Sequence, residues 1–392
     1  MLAGALACAL VALAAATHEE APIDGEYGLF VQLPPDSVVV QWRTADEVTG
    51  VLEASWEAAP SRRFTTPAGR VHRVALARPQ RDQVVLRFGA AGQPLHETRI
   101  FLAEPRRDPV EFPALDSLFV MGDPHGEFNQ LARTLRAAGL IGETLEWTGG
   151  HRQLVFAGDL TDRGPDVTRL LWFVYRLERE AARAGGRVHV VLGNHEIMDM
   201  TGDLRYLHPR EAALAEAYGV SYDRMVHVRE SLLGRWLASK PAAIRIGGVL
   251  IAHGGVTTDF AAVSLRRLDA MLANFLTPAF LYRDAATATT HADSVRLQAR
   301  DDFFWHPHSL FWYRDYVQSD SVGAQLDSVL HAFRADLMVV GHTPLPQIEA
   351  RYGGRLIATN TIRFAAELLL LVREHAGYRH FRIREQGVPQ PF

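Results

Sequence analysis

The sequence predicts an α/β domain preceded by a small all-β domain, and three observations carry that expectation. Between Leu118 and Pro344, an apolar run ends five times in Gly or His followed by polar side chains. Continuous apolar runs of this kind suit strands buried on both faces. The first two runs are followed by helix-like stretches, Asn129 to Ala138 and Val167 to Ala184, as parallel α/β units require. Upstream, from about Tyr27 to Ala103, short β-branched runs alternate with Gly and Pro, which reads as a β-sandwich.

Composition removes several alternatives. The chain has 392 residues, of which 48% are hydrophobic, 22% charged and 9% aromatic. That excludes a disordered or collagen-like chain and leaves ample length for a large core. Forty-one basic against 45 acidic residues give a net charge of −4, too little for a global field that grips nucleic acid. Lys240 is the single lysine, so arginine supplies every other basic side chain, and one more Arg is weak evidence of phosphate binding. The single cysteine, Cys8, lies in the first apolar run, which excludes disulfide frameworks, zinc-thiolate sites and cysteine nucleophiles elsewhere.

Taken in order, residues 1–17 carry no charged side chain, and Leu2 to Ala16 is too short for the ~20 residues of a membrane span. The stretch fits the apolar region of a signal peptide, with Ala14, Ala15 and Ala16 as the small residues before cleavage. Export to the periplasm or medium follows; an uncleaved segment would leave the chain cytoplasmic. The β-rich domain is expected over residues 22–103, with about six short strands that include Ser37–Arg43 and Gly50–Glu53. Residues 104–114, with Pro105, Pro109 and Pro113, read as a linker. The α/β domain then takes residues 115–385.

The chemistry lies in the five strand ends. They read Gly-Asp-Pro-His-Gly at 122–126, Gly-Asp-Leu-Thr-Asp-Arg-Gly at 158–164, Gly-Asn-His-Glu at 193–196, His-Gly-Gly at 253–255 and Gly-His-Thr-Pro at 341–344. In open α/β sheets the carboxyl ends of the strands form the ligand-binding rim. Asp123, His125, Asp159, Asn194, His253 and His342 should therefore converge on one rim. They are more ligands than a closed tetrahedral zinc site takes. They suit two ions sharing a bridging carboxylate, and donors of this kind without thiolates favour manganese, iron or zinc.

This series resembles the calcineurin-like metallophosphoesterases. Asp-Arg-Gly at 162–164 points to their phosphoprotein phosphatase branch. Gly-Asn-His-Glu-Ile-Met at 193–198 and Phe-Trp-Tyr-Arg-Asp-Tyr at 311–316 resemble the Shewanella-like bacterial phosphatases. The resemblance covers roughly Leu115 to Ala358. It implies a four-layer α/β/β/α sandwich, and the leading β domain is similar to fibronectin-III-like domains. Carried over, Asp123 and His125 would hold one metal, Asp159 would bridge, and Asn194, His253 and His342 would hold the second. His195 would be the general acid, oriented by Asp162, while Arg163 and Arg314 would grip phosphate oxygens. Pro124, Asp199 and the segment 358–363 depart from the pattern common among relatives, and no departure removes a ligand.

The implied activity is phosphomonoester hydrolysis by a metal-bridged hydroxide, with a phosphoprotein or phosphopeptide as partner and no nucleic acid. A diadenosine-polyphosphate hydrolase would use the same ligands, and a secreted binding module would need none. His306 and His308 have metal-like spacing, but they lie in the aromatic run Phe303 to Tyr316, which is expected to cap the cleft. Glu196 is expected to support the backbone of its motif.

Overall fold

The computed structural model describes residues 28–392 apart from 58, 363–365 and 376, so the expected leader lies outside the described residues. None of the described helices is long and apolar enough to cross a membrane.

Five antiparallel strands lead: β1 (Phe30–Gln32), β2 (Ser37–Ser55), β3 (Arg62–Ala77), β4 (Gln83–Ala90) and β5 (His96–Phe101). β3 runs along one edge of β2, while β1 and β4 share its other edge, with β5 beyond β4. Where a sandwich of about six short strands was expected, the described residues form five antiparallel strands joined in one sheet. The cause is β2, which joins Ser37–Arg43 and Gly50–Glu53 in one 19-residue strand. Two register shifts, between Arg43 and Val48 and between Thr49 and Val51, mark irregularities of the kind that bend a strand. Alternate residues Val84, Leu86 and Phe88 of β4 are buried, joining Val38, Val40 and Trp42 of β2 in one apolar core.

The connecting segment ends in β6 (Glu111–Phe112) and is tied down by charge. Arg107 pairs with Asp269 at 2.5 Å and donates to the Ala238 carbonyl at 2.6 Å. Lys240, only 3% exposed, reaches Asp108 at 3.0 Å and Glu178 at 2.6 Å. A buried ammonium between two carboxylates is tolerable because it is paired.

The remaining strands are β7 (Ser117–Met121), β8 (Gln153–Phe156), β9 (Arg187–Val190), β10 (Ala243–Ile246), β11 (Val249–Ala252), β12 (Leu337–Val340), β13 (Glu349–Arg351), β14 (Leu356–Ala358), β15 (Leu368–Glu374), β16 (Gly377–Ile383) and β17 (Gln390–Pro391). They build two mixed six-stranded sheets, ordered β17-β16-β15-β7-β8-β9 and β13-β14-β12-β11-β10-β6. β6 and β17 belong to these sheets, so their strands reach past the expected limits 115 and 385 on both sides.

Side-chain alternation explains how the sheets stack. Leu118, Val120, Val155, Ile251, Val339, Leu369 and Leu371 form one core shared by both sheets. Their neighbours Phe119, Met121, Leu154, Phe156, Leu250 and Met338 belong to the other core, with the helices. Those helices include α1 (Phe128–Ala137) and α2 (Val167–Arg183), which bury Leu131, Leu135, Leu170 and Phe173. Sheet thus faces sheet, with helices outside. Fully burying each such side chain contributes roughly 1.5–3 kcal/mol.

The N-terminal sheet shares the core of α2. Trp172 donates to the Leu29 carbonyl at 2.8 Å, and the Tyr175 hydroxyl accepts the Phe101 N–H at 3.1 Å. The strand ends of β7, β8, β9, β11 and β12 then lead straight into the five polar motifs.

Candidate metal centre

Three of the five motifs leave their strands through backbone turns that few side chains tolerate. His125, Asp159, Asp162, Arg163 and His342 all have positive φ, between 44° and 67°. Non-glycine residues in this region cost about 1–3 kcal/mol each and collect at functional sites. Gly193 and Gly341 are required for a different reason. A Cβ at Gly193 would strike the Asp159 carboxylate, and one at Gly341 the Asp123 carboxylate.

The turns bring the predicted residues together. Asp159 Oδ2 lies 3.2 Å from His253 Nε2, 3.5 Å from His125 Nε2 and 3.9 Å from His195 Nε2. His253 Nε2 is also 3.0 Å from Asn194 Oδ1. Two groups able to hold an ion share Asp159: His125, Asp159 and His195, and Asp159, His253 and His342. Asp123 accepts the His342 N–H at 2.9 Å and the Asn360 side-chain N–H at 2.6 Å. The imidazoles that could hold an ion are aimed by main-chain carbonyls, His125 Nδ1 by Thr161 O and His253 Nδ1 by Ala157 O, both at 2.8 Å.

The donor set fits divalent ions. His342 Nε2 is buried without a hydrogen-bond partner among the described residues, while its ring lies 5.0 Å from that of His253. Burial, with help from His253 and Arg314, holds His342 well below the usual imidazole range. Burial likewise lowers His125 to about 3, against the pull of Asp159. A neutral imidazole is the form that binds a metal. Burial also works to raise Asp159, but His253, His195 and His125 outweigh it and hold that carboxyl well down.

His195 has a side-chain carboxylate behind it, where His125 and His253 have main-chain carbonyls. Its Nδ1 lies 2.6 Å from Asp162 Oδ2, and its Nε2 is 3.1 Å from Arg163 Nη2. Burial alone would lower its pKa, yet Asp159 and Asp162 together raise it. Arg314 is half-buried and donates to the His342 carbonyl at 3.2 Å. Glu196 takes no part in the cleft. Its carboxylate accepts the N–H groups of Asp159, Leu160, Thr161 and Gly193 at 2.7–3.0 Å.

The strand ends thus bring together a shared buried carboxylate, histidines able to hold an ion, and an imidazole–carboxylate pair. Residues 117–346 match the calcineurin-like phosphoesterase family. The chain belongs to that family. It is therefore a metal-dependent phosphoric ester hydrolase with a divalent metal centre.

Among relatives of this calcineurin-like phosphoesterase, an uncharacterized protein of Schizosaccharomyces pombe is 29% identical over 64% of this chain and 74% of its own length. Shewanella-like protein phosphatase 2 of Arabidopsis thaliana is 42% identical over a stretch covering 25% of each chain. That stretch is a quarter of the plant protein's length. The crystal structure of a cold-active protein-tyrosine phosphatase from a psychrophilic Shewanella species is similar with a TM-score of 0.69 and 27% identity. The likeness covers 86% of this chain and 97% of that one, more than residues 115–392 alone supply, so it extends into the N-terminal sheet.

The aromatic run only partly borders the cleft. Phe303, Phe304 and Phe311 are buried in the core, whereas the Trp312 ring stands edge-on to His342 with centroids 5.7 Å apart. His306 and His308 are exposed, and His308 Nδ1 meets Asp259 at 3.3 Å, away from the centre. Two site residues escaped sequence reasoning. Asn360 follows β14, a sixth apolar run ending in polar residues, which was a usable signal. Tyr206 lies on a loop with no such signal, yet its ring is 5.2 Å from both the Arg163 guanidinium and the His195 ring.

Proposed function

We propose that this phosphoesterase is a protein phosphatase that uses two divalent ions, manganese, iron or zinc. The observation that carries the reading is the His195–Asp162 pair at 2.6 Å, placed beside both the shared Asp159 and Arg163. In this reading Asp123, His125 and Asp159 hold one ion, and Asp159, Asn194, His253 and His342 hold the other. Bound divalent ions supply positive charge against the phosphoryl oxygens and lower the pKa of water.

The chain's own side chains do the rest. Arg163 and Arg314 carry planar guanidinium forks that match phosphate oxygens and fix the ester in line. His195 holds a proton on Nε2 for the leaving oxygen, and Asp162 keeps the imidazole charged and aimed. The Trp312 ring borders the cluster near His342, and the exposed Tyr206 ring borders it near His195.

Phosphoprotein as the substrate class is supported by the names of the Arabidopsis and Shewanella relatives. The test is a competition assay on the metal-loaded chain, with phosphopeptides and diadenosine tetraphosphate at equal concentration. Phosphopeptides should turn over with the higher kcat/KM; faster turnover of the dinucleotide overturns the substrate class. The uncharged leader, with its small-residue Ala14–Ala16, supports export, which N-terminal sequencing of the native protein checks. The N-terminal sheet is read as a supporting domain seated on α2.

A further inference from the structure

Behind the His195–Asp162 pair lies another carboxyl that the proposed mechanism leaves unused. Asp199 stands one turn after His195 on α3 (Asn194–Thr201) and is fully buried. It faces Asp162 and Thr161, with Glu196 of its own helix and Tyr222 as the other titratable neighbours. Four atoms here, Thr161 Oγ1, Asp162 Oδ1 and both Asp199 oxygens, are buried with no hydrogen-bond partner among the described residues. Ionised carboxylates only accept, so two of them cannot satisfy one another. Nor do two buried like charges persist side by side.

We propose that Asp199 is held as the neutral acid and donates its O–H to Asp162 Oδ1, which makes it a positioning residue for His195. One proton then completes the accounting. Thr161 Oγ1–H donates to the second Asp199 oxygen, Asp199 O–H donates to Asp162 Oδ1, and His195 Nδ1–H donates to Asp162 Oδ2. The proton sits on Asp199 because Asp162 already has the imidazole N–H to stabilise its charge, and no cation among the described residues acts on Asp199. Burial, then Asp162 and Glu196, push the Asp199 carboxyl well above the ordinary range, in the same direction. With both oxygens bonded, Asp162 cannot rotate, and the imidazole keeps Nε2 toward the cleft. The charge behind His195 is then one carboxylate, where the sequence alone shows two.

The inference rests on the proposed acid role of His195 only for its effect on turnover. Its direct test is an NMR titration of histidine-labelled, zinc-loaded full chain, with the His195 signal assigned by its loss in His195→Ala. Asp199→Asn keeps a neutral donor, so the His195 midpoint should move by less than about 0.3 pH unit. Asp199→Ala removes the donor, and the midpoint should rise, because Asp162 then holds the imidazolium more strongly. A fall of about one unit or more in Asp199→Asn would mean that Asp199 carries a charge, and overturns the proposal.

In turnover of an ester with a poor leaving group, Asp199→Ala should lower kcat by about 10–100-fold with KM little changed. Asp199→Asn should recover most of that loss, and equal losses in both variants also count against the proposal. If Asp199→Ala does not fold, the Asp199→Asn midpoint decides alone. Should the midpoints behave as expected while His195→Ala loses equally on poor and activated leaving groups, the acid role falls and the Asp199 hydrogen bond stands.

Discussion

Glu196 holds the Asp159 backbone: its Oε2 accepts the Asp159 N–H at 3.0 Å, and the same oxygen takes Gly193 N–H at 2.8 Å. One buried carboxylate thereby fixes the β8 turn, which carries the shared carboxylate, against the start of α3, which carries Asn194 and His195. Glu196→Gln would turn an NH2 group toward backbone donors and leave N–H groups unpaired, at about 1–3 kcal/mol each. We expect a lower Tm and a metal affinity weakened by about 10–100-fold. Thermal melts and metal analysis after dialysis measure both.

Asp159→Asn should abolish turnover and release metal, because the shared oxygen loses its charge while three imidazoles still surround it. Circular dichroism should show a folded chain. Near-normal activity with full metal content would refute the shared-carboxylate reading.

Arg314 is half-buried and, among the described residues, its one hydrogen bond is to the His342 carbonyl, so most of its donors remain for an anion. Arg314→Ala should reduce kcat/KM by about 10-fold or more, equivalent to ~1.4 kcal/mol of transition-state stabilisation. Steady-state kinetics on one phosphopeptide suffice, with unchanged kinetics as the contrary result.

Glu211 supplies a pH signature remote from the metal centre. It accepts the Thr168 N–H at 3.1 Å and contacts the Thr168 hydroxyl at 2.5 Å, and burial raises its pKa from 4.5 to about 7. Between those values the folded chain keeps a proton that the unfolded chain has released. Stability therefore falls as pH rises from about 4.5 to about 7, by on the order of 3 kcal/mol at most. Glu211→Gln has no proton to lose. Its Tm relative to the parent should climb between about pH 5 and pH 8, and a constant difference would argue against the raised pKa.

The centre was legible because its chemistry sits where strands end. A run such as Leu154–Phe156 is apolar throughout since both its faces are covered, and the turn after it needs Gly158 beside Asp159. The first domain was less legible. In β2 the exposed stretch Ala45–Glu47 is small or charged and resembles a loop, yet the strand continues through it to Ser55. Asn360 and Tyr206 escaped for another reason. Asn360 acts on Asp123 across 237 positions, and Tyr206 is placed by its own carbonyl, which accepts the Arg163 N–H at 2.9 Å. Asp199 was visible as a departure from the pattern, but its neighbour Asp162 was brought to it only by folding.

Lys240, clasped between Asp108 of the connecting segment and Glu178 of α2, has a consequence for labelling chemistry. It is the chain's one side-chain primary amine, and folding hides it. Amine-selective acylating reagents should therefore leave the side-chain amine of the native protein untouched. An adduct on Lys240 would record a moment when the connecting segment lifted from α2, with no background from surface lysines. The rate of that single modification would act as a clock for the opening of this seam.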